Sequence, residues 1–252
     1  MDLLNARSVL ETDISKEEYL KLFMRVRGIG LKLAEKLYDA GIRSIEEIVN
    51  LSSLPEGIRL AAKYFDDLQH PMLTPEVTKI VSILRKELMK QFKVQHYDVV
   101  GAGSYRRGNK SHTDLDLMVI DEELTGDSIN EYYKTTEYYK GTINSGPTKA
   151  VLLLKFTFNE YVRVIEIYVG RPHERGAMLL YLTGPQDFTI VLRIRAKKHY
   201  DMLLNQHGLF AKDGKLIASK TEKEVLAALD LPYIPPERRG TKEIYDKYFK
   251  RH

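Results

Sequence analysis

Gly103-Ser104-Tyr105-Arg106-Arg107-Gly108, followed by Asp114-Leu115-Asp116-Leu117-Met118-Val119-Ile120, is the stretch whose reading decides the fold. The second half reads as a strand. Side chains alternate across a strand, so Asp114 and Asp116 project to one side while Leu115, Leu117 and Val119 face a core on the other. Two carboxylates this close repel unless a cation lies between them. Magnesium, which takes oxygen ligands and commonly uses one or two carboxylates plus substrate phosphates, is the natural candidate. The first half supplies a turn, a hydroxyl and two guanidinium groups. A helix beginning at Ser104 would offer free backbone N–H groups to a phosphate, and an arginine there can grip phosphate oxygens bidentately. Taken singly, an acidic strand start and a basic loop are ordinary surface features. Together they suit a metal-bound nucleoside triphosphate.

A third carboxylate extends the set. In the apolar run Tyr161–Val169, Glu166 shares a face with Val162, Val164 and Tyr168. A carboxylate among apolar neighbours needs a partner, either a nearby Lys or Arg or a metal. With its strand beside that of Asp116, Glu166 would complete a three-carboxylate site for two metals roughly 3.5–4 Å apart, the arrangement that stabilises both oxygens of a phosphoryl transfer.

Outward from this centre, Val94–Val100 is predicted as a strand leading into the Gly101-Ala102-Gly103 turn. Ala150–Phe158 and Tyr161–Val169 are predicted as strands joined by a two-residue turn at Asn159-Glu160. Upstream, a helix is predicted from Thr74 as N-cap, with Pro75 at its first position, to about Gln91, with Val77, Ile80, Val81, Leu84 and Leu88 on one stripe. Tyr19–Leu68 reads as helices broken at Gly28-Ile29-Gly30, Gly41 and Pro55-Glu56-Gly57, after a lead-in over residues 1–18. From His173 the pattern is helical, then mixed, with a last helix near Glu222–Leu229 capped by Thr221. No internal repeat or low-complexity tract occurs. The fold class is α+β, with a central, mostly antiparallel sheet flanked by two helical parts.

The 252 residues are 43% hydrophobic and 29% charged, an ordinary globular composition, and the net charge of +4 is too small to argue for nucleic acid by itself. There is no cysteine, which excludes disulfides, thiolate zinc sites and cysteine nucleophiles. No apolar run approaches the roughly 20 residues needed to span a bilayer, and Met1–Leu10 carries no signal-peptide pattern. An intracellular protein, neither secreted nor membrane-bound, is the expectation, with its compartment left open.

Two further features suggest nucleic-acid backbone contact. Gly28-Ile29-Gly30 between helices lets backbone amides approach a phosphate without sequence preference, although an ordinary helical hairpin has the same look. Arg193 and Lys197 alternate with Ile190 and Ile194 at helical spacing, dividing one helix into basic and apolar positions. His112, two residues before Asp114, could approach a triphosphate but reads first as an exposed loop histidine, and His199 and His207 have no companions at metal-ligand spacing.

Gly103-Ser104 followed by Asp114-x-Asp116 resembles the signature of the polymerase-β-like nucleotidyltransferases. Arg25-Val26-Arg27-Gly28-Ile29-Gly30, Tyr64-Phe65-Asp66-Asp67-Leu68, Tyr181-Leu182-Thr183-Gly184 and Leu231-Pro232-Tyr233-Ile234-Pro235-Pro236-Glu237-Arg238 narrow the resemblance to family X DNA polymerases, in one order from about Tyr19 to Arg239. The resemblance implies a helix-hairpin-helix subdomain over 19–72, a catalytic palm over 73–172 and a nucleotide-selecting C-terminal subdomain over 173–252. It implies a monomeric, template-directed polymerase that adds dNMP from dNTP substrates to a primer 3′-hydroxyl in primer-template or gapped DNA. Two Mg2+ ions, with Mn2+ as a substitute, would be held by Asp114, Asp116 and Glu166. Gly103, Ser104 and Arg107 would grip the triphosphate, Tyr181 and Gly184 would pack on the sugar, and Gln186 and Thr189 would lie near the base. Gly28, Gly30, Arg193 and Lys197 would meet DNA, and the Gly184-Pro185 peptide would be cis. Glu166 stands where the family has Asp, Thr189 where many members have Asn, and Leu182 where Phe is usual. No lyase domain is matched. Two rivals remain: a nucleotidyltransferase acting on RNA ends, and a DNA-end binding protein with a polymerase fold disabled at Glu166.

Overall fold

The computed structural model describes residues 14–249, which fall into two compact units divided between Leu68 and Gln69. The first unit is wholly helical: α1 Lys16–Met24, α2 Leu31–Asp39, α3 Ile45–Asn50 and α4 Glu56–Lys63, with α5 Phe65–Gln69 at its end. Helix α1 begins inside the stretch predicted as a lead-in. Ser15 caps it reciprocally with Glu18: the Ser15 hydroxyl accepts from the Glu18 N–H and the Glu18 carboxylate accepts from the Ser15 N–H at 2.8 Å. The remainder of that lead-in, residues 1–13, lies outside the described residues. Ser44 and Glu47 repeat the same box on α3. Between α1 and α2 the chain turns through Gly28, whose φ of 95° and whose Cα, close to Ile58, disfavour any side chain there. Phe23, Val26, Ile29, Ala34, Leu37 and Ile48 are buried in this unit.

The second unit starts with β1 Met72–Leu73 and the long helix α6 Thr74–Phe92. Leu73, rather than Thr74, is the N-cap of α6; Thr74 is already helical and spends its hydroxyl elsewhere. The predicted stripe from Val77 to Leu88 is buried along its length. Next come β2 Val99–Gly101, the single-turn helix α7 Gly103–Arg106, β3 Ser111–His112, β4 Leu115–Ile120, α8 Gly126–Lys134, β5 Tyr139–Gly146, β6 Lys149–Leu154 and β7 Arg163–Gly170. Five strands form one sheet in the order β2-β4-β7-β6-β5, antiparallel except for the β4–β7 pair. One face is a dry core: Leu115, Leu117 and Val119 from β4, Ile165 and Ile167 from β7 and Leu152 from β6 pack with the α6 stripe and with Ile129 and Tyr133 of α8.

Three predicted boundaries are corrected. Only Val99–Gly101 of the expected Val94–Val100 strand joins the sheet, because His96–Asp98 closes a 3-10 turn through the Asp98 N–H and the Gln95 carbonyl. The β6–β7 hairpin is antiparallel, but its connection runs from Lys155 to Val162 instead of through two residues. Phe156 leaves the strand alternation there: its ring stacks on Tyr138 and Phe158, with centroids 4.9 and 5.5 Å away. Strand β5 and helix α8 were not predicted.

Helices α9 Arg175–Thr183 and α10 Gln186–Tyr200 follow, then an antiparallel sheet of β8 Leu203–Asn205, β9 Gly208–Phe210 and β10 Leu216–Ala218. Thr221 caps α11 Glu222–Ala227 as expected, and α12 Lys242–Tyr248 follows beyond it, so α11 is not the last helix. Phe188, Leu192, Ala196, Leu204, Leu209, Val225, Leu226, Leu231 and Ile234 make a second core. The buried stripe of α10 is therefore Phe188, Leu192 and Ala196; Ile190 and Ile194, read above as its apolar side, are exposed.

Glu87 on α6 lies where it is half-buried, and Tyr138 donates a short hydrogen bond to its carboxylate. Burial raises the Glu87 pKa, and that hydrogen bond only partly offsets it. A carboxyl with a raised folded-state pKa contributes stability below its ordinary value and loses it as pH rises through the raised value. Glu87→Gln should therefore melt higher than wild type at about pH 8, and the gap should close towards about pH 4. Thermal melts of the two proteins across that range check this.

Candidate active site

The open face of the five-stranded sheet carries the acidic residues. Asp116 and Glu166 are direct partners in the parallel β4–β7 register, on the side away from Leu117 and Ile167. Asp114 precedes β4 by one residue, and all three line a cleft of about 540 Å3. Further along that face Met118 and Ile120 are covered by Met178 and Leu182 of α9. Polar groups on β4 are thus confined to its N-terminal end.

Backbone geometry holds Asp116 in place. The Ala102 N–H donates to the Asp116 carbonyl at 2.8 Å, and Gly103 turns with a φ of 54°. A Cβ on Gly103 would lie 2.1 Å from Asp116 Oδ2, so only glycine lets the carboxylate pass. Beyond it, Ser104 Oγ is 2.7 Å from His112 Nδ1. His112, expected to be exposed, is 2% exposed: its strand β3 pairs with β1 and draws the ring inward. Burial lowers its pKa and the nearby Arg107 adds to this, against the pull of Asp114. Arg107 donates to the Thr183 carbonyl at 2.6 Å. Partial burial lowers its pKa, while Asp116 and Asp187 pull it up.

The opposite wall comes from α9 and α10. Tyr181 is exposed into the cleft beneath the Arg193 guanidinium, 5.2 Å from its ring centroid. Gly184 carries a φ of 60°, the Gly184-Pro185 peptide is cis as expected, and Gln186 opens α10. Thr189 also lines the cleft, its hydroxyl donating to the Gln186 carbonyl at 2.7 Å. Every nucleotide-contacting residue expected from the sequence is thereby brought to one cleft. Lys197, one turn beyond Arg193, pairs with Asp201 at 2.6 Å instead of lining it. Gly28 and Gly30 belong to the first unit, in the turn between α1 and α2.

Two features of the site were not anticipated. Glu166, only 4% exposed, forms an ion pair with Lys149 at the start of β6 and accepts from the Tyr168 hydroxyl at 2.6 Å. The Lys149 ammonium also lies 4.5 Å from the Tyr168 ring centroid. Among the described residues no three His, Cys, Asp or Glu side chains already converge as a ligand set. Asp114 and Asp116 nevertheless offer carboxylate oxygens beside a backbone cradle, donors that suit a hard divalent cation, and Glu166 lies one strand away. The second feature is a buried knot. Arg106 reaches Glu222 with both terminal nitrogens at 2.9 and 2.7 Å and Thr183 Oγ1 at 2.7 Å. Arg239 donates to the same Glu222 at 2.8 Å and to the Ile234 carbonyl at 3.0 Å. Nothing in local periodicity marks these three residues, which lie far apart in the chain.

Known proteins resemble this chain in sequence and fold. The DNA polymerase beta thumb matches residues 178–240, and the fingers domain of DNA polymerase lambda matches residues 21–69. DNA polymerase lambda of Rattus norvegicus is 27% identical over 246 residues, covering 87% of this chain and 42% of that protein. Repair DNA polymerase X of African swine fever virus is 29% identical over 169 residues, 64% of this chain and 95% of the viral protein. These matches bear out the resemblance to the family X DNA polymerases. The chain spans about half the length of its first curated relatives. Its fold matches the Leishmania infantum polymerase beta of a ternary P/T complex with a TM-score of 0.78 at 22% identity, over 90% of this chain and 99% of that one. The α+β fold class expected from the sequence therefore holds.

The Arg106–Glu222–Arg239 knot joins the turn before β4 to the C-terminal part of the same unit. Burial alone would raise the Glu222 pKa, but the two arginines outweigh it and the net shift is downward. Removing one partner of such a buried set leaves an uncompensated charge, at a cost of about 3–5 kcal/mol. Glu222→Leu should lose about that much in denaturant unfolding. A loss below 1 kcal/mol would show that the arginines find other partners.

Proposed function

We propose that this chain is a template-directed DNA polymerase that adds one dNMP at a time to a primer 3′-hydroxyl, filling short gaps during DNA repair. The observation that carries the reading is the meeting, in one cleft, of the Asp114–Asp116–Glu166 carboxylates with Ser104 and Arg107, opposite Tyr181, Gly184 and Gln186. The family relationship and the repair polymerases among its relatives support it. Asp114, Asp116 and Glu166 would hold divalent cations, two Mg2+ with Mn2+ as a substitute. Bound there, such ions acidify the primer 3′-hydroxyl and stabilise the leaving pyrophosphate. Arg107 and the turn at Gly103-Ser104 would orient the triphosphate so that the primer O3′–Pα bond forms as the Pα–O bond to the β-phosphate breaks. Tyr181 and Gly184 would pack against the sugar and Gln186 and Thr189 would face the base. Arg193 would reach the template strand, and Lys197 the DNA backbone once released from Asp201. Gly28 and Gly30 would hold a backbone phosphate through their amides. A monomer acting on DNA in the nucleus or another DNA-containing compartment follows.

A nucleotidyltransferase acting on RNA ends and an inactive DNA-end binder are the competing readings. A gap-filling assay with magnesium, run beside an RNA-primed control and a DNA-affinity measurement, separates them: incorporation confined to RNA primers would favour the first, and tight DNA binding without incorporation the second. Within the proposed reaction, Glu166→Gln should slow incorporation by orders of magnitude with nucleotide affinity little changed, whereas Asp116→Asn should damage both. Single-turnover kinetics over a range of dNTP concentrations read the two effects apart, and wild-type rates in Glu166→Gln would remove Glu166 from the metal site.

A further inference from the structure

Three side chains on the open face of the sheet form a triangle around one carboxylate oxygen. Lys149 is the direct partner of Tyr168 in the antiparallel β6–β7 register, and Glu166 lies two residues before Tyr168 on the same side of β7. Lys149 is therefore diagonal to Glu166, within reach of a long side chain. The lysine ammonium and the Tyr168 hydroxyl converge on the same atom, Glu166 Oε2: the first as an ion pair, the second as a hydrogen bond of 2.6 Å. The Tyr168 ring, its centroid 4.5 Å from the ammonium, holds Lys149 from a second side. Directly across from Glu166 on β6 stands Val151, which is buried and offers the carboxylate nothing polar. Glu166 and Tyr168 line the cleft, whereas Lys149 is not among the described residues that do. One oxygen of Glu166 is thus tied towards β6, while Asp116 faces Glu166 from the other flank of β7.

We propose that Lys149 is a positioning residue for the metal-binding carboxylate: together with Tyr168 it ties Oε2, so that Oε1 is the oxygen with which Glu166 meets a divalent cation. The inference rests on the reading of this cleft as a cation and nucleotide site, and adds to it a residue that touches neither. A glutamate has one more rotatable bond than an aspartate, so its carboxylate has more places to lie. Two ties on one oxygen restrict that choice before any cation arrives. Groups that hold a ligating carboxylate from behind are worth about 10- to 100-fold in cation affinity or activity. The rival role has the opposite sign. An ammonium that only neutralises Glu166 until a cation replaces it repels that cation, and its removal strengthens cation binding.

The test uses the full chain bound to gapped DNA with a dideoxy-terminated primer, and follows Mn2+ binding by electron paramagnetic resonance. Lys149→Met should weaken by about tenfold the Mn2+ binding that Glu166→Gln abolishes, and Lys149→Arg should recover most of it. Unchanged or tighter Mn2+ binding in Lys149→Met overturns the inference. In a Glu166→Asp background, Lys149→Met should cost little more, because the shorter carboxylate falls back from the ammonium; an equal loss in both backgrounds overturns it too. With an extendable primer, Lys149→Met should slow single-turnover incorporation about tenfold at saturating dNTP, with dNTP affinity little moved. A defect confined to dNTP affinity would make Lys149 a nucleotide contact instead. Should Lys149→Met melt well below wild type, the ammonium itself is read in lysine labelled with 15N. Its signal, assigned by its loss in Lys149→Arg, should be protected from solvent exchange and should persist when Mg2+ is added to the DNA complex. Disappearance on Mg2+ addition would show that the cation displaces Lys149, and the inference falls. If the wild-type protein incorporates no dNTP, the polymerase reading falls, while Mn2+ binding and the ammonium signal still judge the role of Lys149.

Discussion

The parallel pairing of β4 with β7 is the constraint around which the rest of the second unit is arranged. It places Asp116 beside Glu166 in strict register, on strands about 4.8 Å apart. Two such carboxylates on a largely buried face demand positive charge. Lys149 answers for Glu166 from the neighbouring strand β6, and Arg107 approaches Asp116 from the turn before β4. A parallel pair also needs a long crossover, because consecutive strands joined by a tight turn can only run antiparallel. Helix α8 and the β5–β6 hairpin fill that crossover: α8 packs on the apolar side of the sheet, and the hairpin extends the sheet beyond β7. Close contacts mark how tightly they are held: a Cβ on Gly126, at the start of α8, would lie 2.4 Å from the Lys149 backbone.

Most of the fold and of the site was legible in the sequence because its signals are local. The alternation Asp114-Leu115-Asp116-Leu117 announces a two-faced strand, and both faces are as expected. Gly103 precedes it as a turn, and the motif order brought Ser104, Arg107, Tyr181, Gly184 and Gln186 to one place. What stayed hidden depended on pairing between distant segments. Reading Asn159-Glu160 as a two-residue turn sets Leu153 opposite Glu166, with Lys155 diagonal to it; the observed register sets Val151 there and brings Lys149 into reach instead. The slip is two residues, so every side chain kept its face while the partner of the carboxylate changed. Strand β5 escaped notice for a different reason. Its Thr142-Ile143-Asn144-Ser145 segment is polar and bulged, with little periodicity to read. His112 looked exposed because its neighbours Lys110, Ser111 and Thr113 are polar; only the pairing of β3 with β1 turns it inward.

The Glu222 knot has no local signature at all. Its three members meet because α11 delivers Glu222, the chain after Ile234 delivers Arg239, and the turn before β4 delivers Arg106. Thr183 is caught in the same set through its hydroxyl, while its carbonyl holds Arg107. Two adjacent arginines in one turn therefore do different work: Arg106 ties the turn to the far end of the chain, and Arg107 faces the cleft. A Lys in place of Arg106 could not reproduce the two-pronged contact with Glu222.

That separation along the chain has a consequence for synthesis on the ribosome. Arg106 emerges 116 residues before its carboxylate partner, and that carboxylate emerges 17 residues before its second arginine. The helical first unit contains none of these residues and has all of its chain available early. The second unit cannot neutralise its buried charges until Arg239 has left the exit tunnel. Translation thus imposes a waiting period on the second unit, during which β4 and its acidic end are present without the segment that locks the turn before them. A growing chain of this kind gains little from folding that unit early, and its commitment to the native arrangement waits for Arg239 to emerge.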